Sequence, residues 1–192
     1  SYVMLRSEVR TSTTAIAFFN GYDLELVNGK RGVFGITHKN VDQMCAIDAL
    51  LRENLPLVTL VGKAGSGKTL LAIAAGLHAL LEERSVDKIV IIRPPVPVGK
   101  DVGFMPGTIS EKMQIWAGPL YDNLDIMMKG KGKNLDMYME NGTIEVLPPT
   151  FMRGRSLNNT FSILDEGQSL TRHEMKTIAT RVGDGSKLVV TG

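Results

Sequence analysis

Gly62-Lys63-Ala64-Gly65-Ser66-Gly67-Lys68-Thr69 places a glycine-rich turn in front of a cation and a hydroxyl, with the spacing G-x-x-x-x-G-K-[ST] of a phosphate cradle. Each residue type has a physical job there. The glycines let backbone N–H groups turn inward around phosphate oxygens, and the N-terminus of a following helix adds the positive end of its dipole. Lys68 reaches the β- and γ-phosphates and the Thr69 hydroxyl ligates Mg²⁺, the cradle running on through Leu70. A plain glycine turn that opens a helix accounts for the glycines but not for Lys and Thr at the right offset. The second group with chemistry is Asp165-Glu166, which follows the apolar run Phe161 to Leu164. Strand C-termini are where open α/β sheets place their ligands. Asp165 there holds Mg²⁺, directly or through water, and Glu166 orients and deprotonates an attacking water. The bland alternative is a solvated acidic strand end or a helix cap; the glycine-rich cradle roughly 95 residues upstream leaves room for the intervening strands and favours the metal role.

These groups need a scaffold. Leu57 to Val61 is a short apolar run bounded by Pro56 and Gly62, as expected of a strand buried on both faces, and Thr69 to Glu83 is Ala/Leu-rich and helical. Lys88 to Ile92 is a second such strand, stopped by Pro94-Pro95. Thr143 to Leu147, Phe161 to Leu164 and Lys187 to Thr191 supply three more, and Thr171 with Glu174 spells a capping box before the helix between the last two. Asn40 and Gln43 open an amphipathic helix that ends near Asn54-Leu55-Pro56. Thr108 to Met128 is helical in pattern, with an interruption expected at Gly118-Pro119, and ends in a lysine-rich tip, Lys129 to Lys133. Strands alternating with helices imply a parallel sheet with right-handed crossovers. Residues 1–37 differ: β-branched and aromatic residues (Thr11 to Thr14, Ile16, Phe18, Phe19) mix with turn signals at Asn20-Gly21 and Asn28-Gly29, so one or two hairpins are expected. The expected division is a β-rich extension over 1–37 and a nucleotide-binding domain over 38–192.

Composition narrows the class. With 192 residues, 22 Lys plus Arg and 20 Asp plus Glu, the formal charge is only +2, so any nucleic-acid contact must come from a local stripe and not from a wide basic footprint. The single Cys45 excludes an internal disulfide framework, and no Cys/His cluster has zinc-ligand spacing. No run approaches 18 apolar residues and no signal pattern opens the chain, so a cytoplasmic protein with no membrane partner is expected. The chain begins at Ser1 and stops on a strand-like run at Gly192, which reads as a cut at each end.

Taken in order, GKAGSGKT, RPPVPVGKDVGFMPG, EKM, FMRGRSLNN, ILDEGQ and the terminal GSKLVVTG resemble the PhoH family of ATPases over residues 40–192. That resemblance implies an α/β fold of the helicase-type, RecA-like P-loop NTPase class: a parallel five-stranded core sheet flanked by helices, here with the short β-rich N-terminal extension. It implies ATP and Mg²⁺ as cofactors, ring assembly with a hexamer as one form, and a link to RNA handling, often through a fused PIN-type ribonuclease domain. Residues 1–37 are too short to contain such a domain. In ATPases of this type the strand ending in Thr191 lies between the P-loop strand and the Asp-Glu strand, which puts Thr191 beside the γ-phosphate as a sensor. Gln43 matches a Gln that reads the adenine edge, with the capping partner of Asn40 as the equal alternative. Gln168 matches a Gln that couples γ-phosphate state to motion. The family more often has Ala where this chain has Gly167, and a glycine there is expected to loosen the backbone. Arg153 and Arg155 are candidates for a finger that completes a neighbour's site, against a loop pair bonded to local groups. The segment from Arg93 to Gly107 leaves a strand end where helicase-like proteins contact nucleic acid; Arg93 and Lys100 supply charge and Phe104 a stacking surface. Lys129, Lys131 and Lys133 can add phosphate contacts.

Three functional classes fit these residues. The first is an ATPase motor acting on RNA or single-stranded nucleic acid, with in-line attack of water on the γ-phosphorus. The second is a small-molecule kinase, disfavoured because a base directly after the Mg²⁺ carboxylate suits water attack and no lid segment stands out. The third is a nucleotide-gated assembly with slow hydrolysis. A GTPase is disfavoured by the lack of N-K-x-D.

Overall fold

The computed structural model of the chain describes residues 1–6, 14–30, 32–95 and 109–192, apart from the side chains of 109–115. Lys100 and Phe104, the proposed charge and stacking contributions to a nucleic-acid segment, lie outside the described residues, as do Thr11 to Thr13.

Five strands form the core sheet: β4 (Leu57–Leu60), β5 (Lys88–Ile92), β6 (Ile144–Leu147), β7 (Thr160–Leu164) and β8 (Lys187–Thr191). Their order is β4-β8-β7-β5-β6, and all four pairings are parallel. The strand that ends in Thr191 therefore does lie between the strand before the glycine-rich loop and the strand before Asp165. Every residue of β7 is buried, as a central parallel strand covered on both faces requires. Its side chains alternate between two cores. Phe161 and Ile163 join Ile89, Ile91 and Val189 on one face, under the helices α1 (Val41–Leu51), α2 (Lys68–His78) and α3 (Ile109–Lys129). Leu164 joins Val90, Ile92 and Leu188 on the other, where Ile178 of α5 (Arg172–Ala179) packs.

Local chemistry sets the helix ends. Asn40 caps α1 by accepting from the Gln43 backbone, and Thr171 and Glu174 close a full capping box on α5. The Ala/Leu-rich segment after the glycine loop is α-helical only to His78, and Ala79–Glu83 widens into a π-helical turn. The interruption expected at Gly118-Pro119 does not occur: α3 runs continuously through Pro119. A proline inside a helix forfeits one hydrogen bond and costs about 3 kcal/mol, but Ala117 and Leu120 on either side are buried in the core, and that packing overrides the local preference. A short helix not anticipated from the pattern, α4 (Leu135–Glu140), is capped by Asn134.

Ahead of this unit stands a three-stranded antiparallel sheet, β1 (Tyr2–Arg6), β2 (Thr14–Phe19) and β3 (Leu24–Leu26). The turn at Asn20-Gly21 joins β2 to β3, with the Asn20 side chain accepting from the backbones of Tyr22 and Asp23. The turn at Asn28-Gly29 does not join two strands among the described residues, the next element being α1. The sheet docks on α1: Tyr2 donates to Asp48 at 2.8 Å, and Arg52 lies 4.0 Å from the centre of the Phe18 ring while pairing with Asp48 and Glu25.

Candidate active site

Beyond Leu60 the β4–β8 ladder continues into the glycine-rich loop, with Gly192 N donating to Leu60 O and Gly62 N donating to Gly192 O at 3.1 Å. Gly65 (φ 76°) and Gly67 (φ 90°) take left-handed conformations that a side chain would strain, and these turn the loop back on itself. Gly67 is the N-cap of α2 and offers no side-chain acceptor, so the first-turn N–H groups face the loop's hollow without a capping partner. Residues 62–66 are exposed, and Lys68 through Leu70 half-buried. The Lys68 ammonium donates to the carbonyls of Gly62 at 2.7 Å and Lys63 at 3.0 Å, folded across its own loop.

The next element of the site comes from β7. Asp165 is 1% exposed, and its Oδ1 accepts from two hydroxyls: Thr69 at 2.7 Å and Thr191 at 2.8 Å. One carboxylate oxygen thus joins the first turn of α2 to the ends of β7 and β8. Asp165 N donates to Ile92 O, which extends the β5–β7 ladder by one residue. The other carboxylate oxygen, Oδ2, lies 3.5 Å from a terminal nitrogen of Arg93. The guanidinium of Arg93, a candidate nucleic-acid contact, is thus turned toward Asp165. The signal for this was strand adjacency, since Ile92 pairs with Leu164 and the residues that follow each must meet.

Glu166 stands at φ 54°, a left-handed conformation uncommon for a residue with a side chain. Such strain persists only where the surroundings impose it, and it gathers at functional sites. Its carboxylate accepts from the Gln168 amide at 2.6 Å, so the two polar side chains form one unit. Gly167 stands between them. A Cβ there would lie 2.7 Å from Val190 Cγ1 of β8, so the glycine permits a close approach of the turn to the sheet. Gln168 also lies against Gly192, the residue that anchors the glycine-rich loop.

The family model for PhoH-like proteins matches residues 35–192. The chain belongs to the PhoH-like family. It is 45% identical over its whole length to protein PhoH2 of Bacillus subtilis, covering 44% of that protein, and 45% identical over 88% of its length to PhoH2 of Mycolicibacterium smegmatis, covering 38%. A PhoH-like protein of Mycobacterium tuberculosis is 44% identical over 82% of the chain, which covers 43% of it. The chain thus spans less than half the length of each of these three relatives. Among solved structures, the Sulfolobus solfataricus SWI2/SNF2 ATPase core in complex with dsDNA aligns with 86% of the chain and 34% of that chain, at a TM-score of 0.49 and 14% identity.

The remaining candidates on this PhoH-like domain divide by their partners. Gln43 reaches the loop: its amide nitrogen donates to Ser66 O at 3.0 Å while its oxygen accepts from Lys39 N. It therefore braces the glycine-rich turn and the start of α1 together. Arg155 is engaged locally, pairing with Glu145 at 2.7 Å. Glu145 is pushed up by burial, but hydrogen bonds from Arg155 and Lys88 outweigh this and hold its carboxyl below the usual range. Lys88 opens β5, so this cluster lies toward the end of the sheet opposite the site. Arg153 is exposed and makes no hydrogen bond or ion pair among the described residues. Of the lysine tip, Lys129 pairs with Asp125, and Lys131 pairs with Glu82 on the π-helical turn.

The donors present fit a magnesium nucleotide. A hydroxyl and a buried carboxylate touch each other at 2.7 Å beside a helix N-terminus and a mobile-stemmed lysine, the hard oxygen ligands and the anion cradle that Mg²⁺ and a triphosphate require. Among the described residues, no three His, Cys, Asp or Glu side chains form a separate metal cluster. Among those residues, too, no helix is long and apolar enough to cross a membrane.

Proposed function

We propose that this P-loop NTPase hydrolyses ATP with Mg²⁺ and works as an oligomeric motor, a hexameric ring being one form, that remodels RNA or single-stranded nucleic acid in the cytoplasm. The observation that supports the reading is the junction at Asp165, where hydroxyls from the α2 first turn and from the end of β8 meet on a single carboxylate oxygen. The residues then have separate roles. Lys68 leaves the Gly62 and Lys63 carbonyls to pair with phosphate oxygens, and the N–H groups of the loop and first α2 turn bind the rest of the triphosphate. Thr69 and Asp165 hold Mg²⁺, which when bound draws charge from the phosphates and orients the γ-phosphoryl group. Glu166, positioned by Gln168, accepts the proton of the attacking water. Thr191 reports phosphate occupancy through its bond to Asp165. Arg153, exposed and unpaired among the described residues, is better suited than the Glu145-bound Arg155 to reach a neighbouring subunit's nucleotide.

Phosphate release from ATP and Mg²⁺, measured with and without RNA, tests this. Stimulation by RNA is the expected result. Release only with an added small acceptor that becomes phosphorylated would establish a kinase instead, and tight ATP binding without turnover a nucleotide-gated assembly. Native mass with and without ATP reads the oligomer directly.

A further inference from the structure

Arg93 is built into the site in a way that the assigned roles of Lys68, Asp165 and Glu166 do not use. Its backbone is fixed on both sides: Arg93 N donates to Leu147 O at 3.1 Å, and the next carbonyl, Pro94 O, accepts from Trp116 Nε1 at 3.0 Å. The side chain is 18% exposed and lies 3.5 Å from Asp165 Oδ2, longer than the roughly 2.7–2.9 Å of a charge-assisted hydrogen bond. Its Nε is buried without a hydrogen-bond partner among the described residues. This guanidinium does not grip Asp165 in a tight bidentate pair. It is a cation held at a set distance, on the side of the carboxylate opposite the two hydroxyls.

We infer that Arg93 is a positioning residue that sets how tightly the site holds Mg²⁺, an inference that rests on the magnesium–ATP reading above. A buried carboxylate needs a counter-charge, and Arg93 supplies it before the cation arrives. Once Mg²⁺ sits between Thr69, Asp165 and phosphate, the same guanidinium is a like charge a few ångströms away, and at a semi-buried effective dielectric that repulsion is large. The site is thereby kept ready for the cation yet unable to retain it, which suits an enzyme that must release its product with the metal at every turnover. An uncharged residue at 93 would leave Asp165 as an undiluted negative charge and hold the metal too well.

The test is calorimetric and needs no turnover. Mg²⁺ is titrated into protein saturated with the β,γ-imido analogue of ATP, and the analogue is separately titrated in EDTA. In Arg93→Gln and Arg93→Met, the half-saturating Mg²⁺ is expected to fall by about tenfold, while analogue binding in EDTA does not improve; Arg93→Lys restores the wild-type Mg²⁺ affinity. A residue that merely supports the fold would weaken both titrations together. Such parallel loss, or unchanged Mg²⁺ affinity in both neutral variants, overturns the inference. If the wild-type protein itself fails to bind the analogue with Mg²⁺, the proposed ATPase function is what has failed.

Discussion

Thr69 donates its hydroxyl to Asp165 Oδ1 at 2.7 Å, although 96 positions separate the two residues in sequence. The pair couples the nucleotide-binding helix to the central strand, and Thr191 adds a second hydroxyl to the same oxygen. Asp165→Asn retains an oxygen that can accept both hydroxyls but removes the charge. It is expected to fold, and to lower Mg²⁺-supported turnover at least about 100-fold. Thr191→Val removes a buried bond to a charged group, so a loss of about 1.5–3 kcal/mol is expected in a denaturant melt. A variant at 165 with wild-type phosphate release would refute the metal role.

Glu166 and Lys68 are expected to separate chemistry from binding. Glu166→Gln keeps the amide-compatible contact to Gln168 and removes the proton acceptor, so nucleotide affinity is retained while turnover drops by about three orders of magnitude. Lys68→Ala deletes the main cation of the cradle and abolishes binding of a fluorescent ATP analogue. Equal loss of binding in both variants would show that these roles are wrongly divided.

These relationships were legible to different depths. The run Lys88 to Ile92 announced itself as a strand because it is apolar throughout and stopped by Pro94-Pro95, and the structure has β5 with those bounds. The glycine loop was equally clear, since its chemistry is contained in eight consecutive residues. Pro119 misled because a local preference lost to the packing of Ala117 and Leu120. Contacts that depend on strand order were the hardest to read. Arg93 meets Asp165, and Gly167 meets Val190, only because β7 lies between β5 and β8, an arrangement of three distant segments that no local spacing encodes.

Gly167 gives a direct test of that neighbour relationship. A Cβ at 167 would lie 2.7 Å from Val190 Cγ1, nearer than packed carbons approach, so Gly167→Ala must push the Glu166–Gln168 turn away from β8. Overpacking of this kind costs about 1–3 kcal/mol. Adding Val190→Ala removes the methyl group that causes the clash, and thermal melts of the four combinations should give a double-mutant coupling that recovers part of the loss. Additive effects would mean that the two residues do not touch.

Lys187 offers a prediction in pH. It opens β8, is 9% exposed, and donates to the carbonyls of Leu50 at 2.6 Å and Arg52 at 2.6 Å, so a single ammonium satisfies the C-terminal end of α1. Burial lowers its pKa from 10.5 to about 8, against the opposing pull of Glu83 and Glu53. Between those two values the unfolded chain binds the proton that the folded protein has released. The Lys187 contribution to stability therefore rises with pH from about 8 to 10.5 and is constant below that window. Lys187→Gln keeps a donor for the carbonyls and has nothing to titrate. Urea midpoints measured from pH 7 upward should show the wild-type protein gaining on the variant across this window. A constant difference between the two would mean that Lys187 keeps its ordinary pKa in the fold.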